Sequence, residues 1–314
     1  MRSLRASITI LTLSGALLVT TVVVPPNAIA TTVTSRAPSL HVATTSHVST
    51  HLVDDVGPMA RVGSFHFGTL WIWISRGTRR LRTLIIFPRE QQNLSLPVLV
   101  FAHGWDNNPV GYLPVLEGWA SAGLVVVAPT APGMAKGLPL VNENLANLEQ
   151  LADLPVVLTN VLRWHLPIHL DPGEVAYAGH SDGGDAVAAM ALNPAYSDPR
   201  SRAYFLLAAG ADRLDSTHPF SNRAPVYVAD SFCDEYGNWP SALRLYSISN
   251  RPKALVAIGR NETHLSPWVH RSSFNVALWQ STVDFYAWAL TRTPVGRLRI
   301  VRDLSVSGFG EHVE

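Results

Sequence analysis

Cysteine is almost missing from this chain: Cys233 is the only one in 314 residues. An internal disulfide is therefore excluded, and no cysteine follows the N-terminal segment to take a lipid. A chain this long can bury enough core to be stable without a disulfide, even outside the cell. Charge is scarce too. Charged residues make up 15% of the chain, and 24 Lys and Arg against 23 Asp and Glu leave a formal charge of +1. That balance offers no extended basic face for nucleic acid. The densest basic run, Arg76 to Arg82 (RGTRRLR), reads as the decoration of a hairpin rather than a polyanion site. No zinc, dinucleotide or phosphate-loop spacing occurs, so no cofactor and no metal are expected. There is no internal repeat.

One long apolar run is present, from Ala6 to Val24, and it follows Arg2 and Arg5. Pro25-Pro26 break it, and Ala28-Ile29-Ala30 fits a small-x-small cleavage site. This reads as a signal peptide over residues 1–30, cleaved after Ala30, with a secreted, extracellular product. A retained membrane anchor is the alternative, since the run approaches spanning length. Residues 31–58, rich in Thr, Ser, His and Ala, read as a flexible leader. Residues 59–314 are the right size for a single α/β domain.

Along that domain, FHFGTLWIWIS and RTLIIFP read as an antiparallel pair turning at RGTRR. Strand and helix patterns then alternate. LPVLVFAHG, LVVVAPT and EVAYAGH are short apolar runs, separated by helical segments that include a long amphipathic one through Pro155. AYFLLAAG, APVYVAD and KALVAIG continue the series. A long helix, SSFNVALWQSTVDFYAWAL, precedes a polar tail. Continuous apolar strands between helices imply a mostly parallel, doubly wound sheet covered on both faces. In such sheets ligands sit at the carboxyl ends of the strands.

At one such end Gly179-His180-Ser181-Asp182-Gly183 fits Gly-x-Ser-x-Gly, with a strand running in and a helix running out. A nucleophilic serine needs that sharp, unhindered turn. An ordinary glycine-rich junction with a serine cap is the plainer reading. Asp182 and Asp185 fall in the first helical turn, where carboxylates suit the helix dipole. A two-carboxylate glycosidase is disfavoured, because those groups must face a sugar from opposite walls. The backbone N–H of Asp182 is the candidate oxyanion donor. A serine needs a base, and the base an orienting acid. His264 follows the strand KALVAIG and is the candidate base. His270 lies beyond Pro267, and His312 lies in the tail. Asp230, Asp234 and Glu235 all follow APVYVA as possible acids.

Together these motifs resemble the serine esterases of the α/β-hydrolase superfamily. The nearest branch holds dienelactone-hydrolase-like, chlorophyllase-like and platelet-activating-factor-acetylhydrolase-like proteins, with secreted polyester hydrolases as neighbours. The likeness runs from about Ser64 to Trp288 and is carried by LPVLVFAHGWDNNPVGYLPVLEGWASAGLVVVAPTAPG and HLDPGEVAYAGHSDGGDAV. Dienelactone hydrolases proper use cysteine where this chain has Ser181. The resemblance implies a catalytic set of Ser181, Asp234 and His264, with Asp230 as the alternative acid. It also implies oxyanion donors at the N–H groups of Trp105 and Asp182. Trp105 and Trp268 would form walls of the acyl site, and His103 would be a structural hydrogen bonder. The expected substrate is a small-molecule or polymeric ester. A polyester or cutin hydrolase, a lyase or perhydrolase with the same triad, and a non-hydrolytic binding protein on the same fold are the competing readings.

Overall fold

The apolar runs that alternate with helices pair into one sheet. The computed structural model describes residues 59–137, 142–211, 222–259, 261–291, 294–307 and 310–313. The expected signal peptide and leader lie outside them. The first two strands, β1 (Phe67–Arg76) and β2 (Arg79–Pro88), form the antiparallel hairpin, with Trp73 opposite Arg82. Gly77 takes the left-handed turn between them at φ +59°. From Trp71 to Ile74 the strand alternates exposed indole with buried isoleucine, so the hairpin has one covered and one open face.

The elements that follow are β3 (Ser95–Ala102), α1 (Leu113–Ala120), β4 (Val125–Pro129) and α2 (Glu143–Arg163). Next come β5 (His169–His180), α3 (Asp182–Leu192), β6 (Ser201–Leu207) and β7 (Val226–Ser231). The chain continues with α4 (Trp239–Ile248), β8 (Lys253–Ile258), α5 (Ser266–Val269) and α6 (Ser273–Thr291). It closes with α7 (Pro294–Ser307) and β9 (Gly310–Val313). The strand order is β1-β2-β4-β3-β5-β6-β7-β8-β9. β3 to β8 are parallel, and β2 and β9 run antiparallel to β4 and β8. One apolar layer lies between the sheet and α1, α6 and α7, and the other lies under α2, α3 and α4. This is the α/β-hydrolase fold, and its order reverses at β3, between β4 and β5.

Two segments depart from the sequence reading. The polar tail is α7 and β9: Ile300 is fully buried, and β9 pairs with β8, which puts His312 opposite Leu255. The residues after Asn238, to which the sequence reading gave no element, form α4. That helix is only ten residues long, too short for its period to stand out. The long helix through Pro155 is present as expected.

The hairpin is tied to α2 by charge. Asp153, on α2 and 1% exposed, receives Nε–H of Arg76 at 2.6 Å and Nη2–H of Arg79 at 2.7 Å, while Glu149 pairs with Arg76 nearer solvent. Removing the buried partner strands two half-buried guanidinium groups. Asp153→Ala is therefore expected to cost about 2–4 kcal/mol in urea unfolding, against less than about 1 kcal/mol for Glu149→Ala. Equal losses from the two would contradict this division.

Candidate active site

Ser181 stands at the junction of β5 and α3 with φ +56° and ψ −128°. This is a conformation that non-glycine residues rarely hold. It is fixed from both sides: its N–H donates to the Leu207 carbonyl at 3.0 Å, and its carbonyl accepts from Asp185 N–H at 2.9 Å. The flanking glycines are required by close approach. A Cβ on Gly179 would overlap the Gly183 carbonyl, and a Cβ on Gly183 would overlap that of Ala102. Asp106, Ser181 and Ala208 are the described non-glycine residues with positive φ. They follow β3, β5 and β6, so the backbone strain gathers at the carboxyl ends of neighbouring strands.

The turn opens into a cleft of about 620 Å³, whose lining includes Gly104, Trp105, Tyr112, Ser181, Tyr236 and His264. His264 and Asp234 are both buried, and His264 Nδ1–H donates to Asp234 Oδ2 at 2.6 Å. This bond leaves the imidazole lone pair on Nε2. Burial would raise the Asp234 carboxyl. The hydrogen bond and charge of His264, with the Tyr236 N–H donating at 2.8 Å, outweigh burial and hold it below the usual range. Glu235 acts on the backbone instead: it accepts the His264 N–H at 2.8 Å and so fixes the loop.

Asp230, the alternative acid, has no bond to His264. It is fully buried at the end of β7, where Oδ1 accepts the Ser231 N–H at 2.7 Å and Oδ2 has no hydrogen-bond partner. Burial first, and then the neighbouring Asp234 charge, push its carboxyl well above the ordinary range. Of the two neighbouring carboxyls it is the one pushed toward the neutral form.

The loop after β3 is clamped by two histidines whose partners the sequence did not reveal. His103 Nδ1–H donates to the Gly104 carbonyl at 2.8 Å, and its Nε2 accepts the Ala131 N–H at 2.9 Å. His180 Nε2 faces the His264 carbonyl at 2.9 Å and must carry the proton there. Its Nδ1 therefore accepts from the Tyr112 hydroxyl at 2.8 Å, whose oxygen accepts the Gly104 N–H at 3.2 Å. One neutral imidazole thus spans the Gly104 loop and the His264 loop. Burial lowers His103 to about 4; burial and then the His264 charge lower His180 to about 3.

Other expected positions sort differently. Trp105 is 47% exposed at the cleft, where its backbone N–H faces the Asp182 carboxyl. Trp268, expected as a wall, is 1% exposed and packs in the core beneath His180, with ring centroids 6.3 Å apart. It sits on α5, which turns inward against α1 and α6, so it does not line the cleft. Asp185 accepts the Gly210 N–H at 2.6 Å and holds the loop after β6. Asp182 is raised chiefly by burial, while the Trp105 N–H and the His264 charge oppose the rise. Cys233, next to Asp234 in sequence, is exposed, because the turn that sends Asp234 inward sends its neighbour out. His270 is exposed and away from the cleft.

The fold and this cleft define an α/β-hydrolase with its site at the sheet's reversal point. Residues 63–226 match the Chlorophyllase family, and the chain belongs to it. That places it among the ester hydrolases of the superfamily. No individual curated protein matches the chain.

Two opposed titrations follow from the buried groups. Unfolded histidine protonates below about 6.5 while buried His103 and His180 do not, so each removes up to about 1.4 kcal/mol of stability per pH unit as pH falls from there toward 4. Asp230 acts oppositely: it holds a proton in the fold that the unfolded chain releases above about pH 4, so its contribution falls as pH rises. Asp230→Asn should therefore make stability rise more steeply between pH 5 and pH 7 than in the parent chain. An unchanged or shallower slope in urea unfolding would show that Asp230 is ionised. Tyr112→Phe leaves the Gly104 N–H and His180 Nδ1 unpartnered, with an expected loss of about 1–3 kcal/mol.

Proposed function

We propose that the protein is an exported serine carboxylic-ester hydrolase that works through an acyl-enzyme. The observation that carries this reading is the buried 2.6 Å bond from His264 Nδ1–H to Asp234, beside a strained serine in the same cleft. With Nδ1 committed to Asp234, Nε2 is the basic nitrogen. It takes the Ser181 hydroxyl proton as Oγ adds to the ester carbonyl. The N–H groups of Trp105 and Asp182 receive the oxyanion, which displaces the Asp182 carboxyl from the Trp105 N–H. As the tetrahedral intermediate collapses, Nε2–H gives its proton to the departing alcohol. Water then adds to the acyl-serine with Nε2 as base again, releasing the acid and restoring Ser181. Export rests on the N-terminal pattern from Arg2 to Ala30. A polymeric ester is the second reading, favoured by the exposed aromatic side chains of Trp105 and Tyr236 at the cleft.

Hydrolysis of p-nitrophenyl butyrate tests the assignment. Ser181→Ala should lose about four to six orders of magnitude in kcat, and Asp234→Asn about four. Asp230→Asn should keep most of the activity, because an amide replaces a neutral carboxyl. Turnover near the parent value in Ser181→Ala, or a greater loss in Asp230→Asn than in Asp234→Asn, would overturn it.

A further inference from the structure

The basic run Arg76 to Arg82 is split by the strand period. Arg76 and Arg79 turn to α2, where Glu149 and Asp153 neutralise them. Arg80 and Arg82 turn to the opposite, open face beside Trp71 and Trp73. The Arg82 guanidinium lies 4.2 Å from the Trp71 ring centroid, and that of Arg80 lies 4.9 Å from Trp73. The indoles remain 38% and 54% exposed. These four side chains line a shallow groove with exposed Lys136 and Val110, and no carboxylate is among the described residues that line it. Two bulky apolar rings held open to solvent, interleaved with three cations, do not serve the core.

We propose that this face docks the protein on an anionic lipid–water interface. Two features select that occupant. Indole rings settle at headgroup depth, where one edge is wet and the other apolar. The guanidinium and ammonium groups beside them meet anionic headgroups, and no acid among the described residues that line the groove opposes the attraction. The face also adjoins the cleft. Asn107 lines the cleft and Asn108 lines the groove, so one peptide separates the two. The wall between them is braced by Lys136 N–H donating to the Asn107 carbonyl at 3.1 Å and Gly137 N–H donating to Asp106 at 2.8 Å. Docking here sets the cleft beside the lipid surface. The inference stands independently of the ester-hydrolase reading, because binding to lipid is measured without turnover.

The test is co-sedimentation of the full chain with vesicles of phosphatidylcholine alone and of phosphatidylcholine mixed with phosphatidylglycerol. A polyester film and duplex DNA are run in parallel. The parent chain is expected to bind the anionic vesicles about tenfold or more tightly than the neutral ones and to lose that preference in high salt. The Arg80→Gln, Arg82→Gln double variant should lose the anionic preference. Trp73→Ser should weaken binding to the anionic vesicles. All should keep the parent's circular dichroism and urea midpoint, which shows that they fold. Residues 1–58 are common to parent and variants, so any affinity of theirs cancels in the comparison. Equal binding to both vesicle types, unchanged binding in the double variant, or capture by film or DNA without capture by vesicles would overturn the proposal. Trp73→Ser carries the comparison with the parent if the double variant does not fold.

Discussion

The site depends on a backbone that passes three strand ends at contact distance with no side chains between them. Ser181 can sit at φ +56° only because Gly179 and Gly183 let the turn close on itself and on the Ala102 carbonyl. Such a conformation costs about 1–3 kcal/mol and persists only where its surroundings over-determine it. Here they do. Leu207 and Asp185 grip both sides of the Ser181 peptide, and a Cβ on Gly104 would press on the serine's own Cβ at 2.9 Å. The strain is thus built into the packing of β3, β5 and β6.

Around that turn the polar groups form one connected arrangement. The Tyr112–His180 pair joins the Gly104 loop to the His264 loop, and Glu235 and Asp234 grip His264 by its backbone and its ring. Each tautomer follows from its neighbours. A carbonyl on one nitrogen of His180 fixes the other as an acceptor, and a carboxylate on Nδ1 of His264 leaves the lone pair on Nε2. Two carboxyls side by side, Asp230 and Asp234, are pushed in opposite directions, because burial dominates at Asp230 while the His264 imidazole bonds and compensates Asp234. The geometry orients an imidazole and holds a strained, half-buried serine in one cleft before any substrate arrives.

Much of this was legible in the primary order. Apolar runs such as LVVVAPT and KALVAIG marked buried parallel strands, and the glycines around Ser181 marked the turn, because both signals are local. Strand ends also pointed to His264 and to the stretch whose Asp234 bonds its ring. The rest depended on contacts between distant positions. Tyr112 meets His180 across 68 residues, which no spacing reveals. Trp268 follows His264 by four residues yet faces inward, because α5 turns between them. Asp230 lies near the end of β7 and Asp234 in the turn after it, and only the path of that turn decides which one reaches the imidazole. The run RGTRRLR read as plain decoration, whereas its alternate arginines do different things on opposite faces of the hairpin.

The most direct measurement is covalent trapping. Incubating the protein with diethyl p-nitrophenyl phosphate and mapping the adduct by peptide mass tests whether the proposed base activates this one hydroxyl among many. One diethylphosphoryl group per chain is expected, on Ser181, formed in step with loss of ester hydrolysis and abolished by His264→Ala. An adduct on another residue, or full inactivation with Ser181 unmodified, would contradict the catalytic role of this serine.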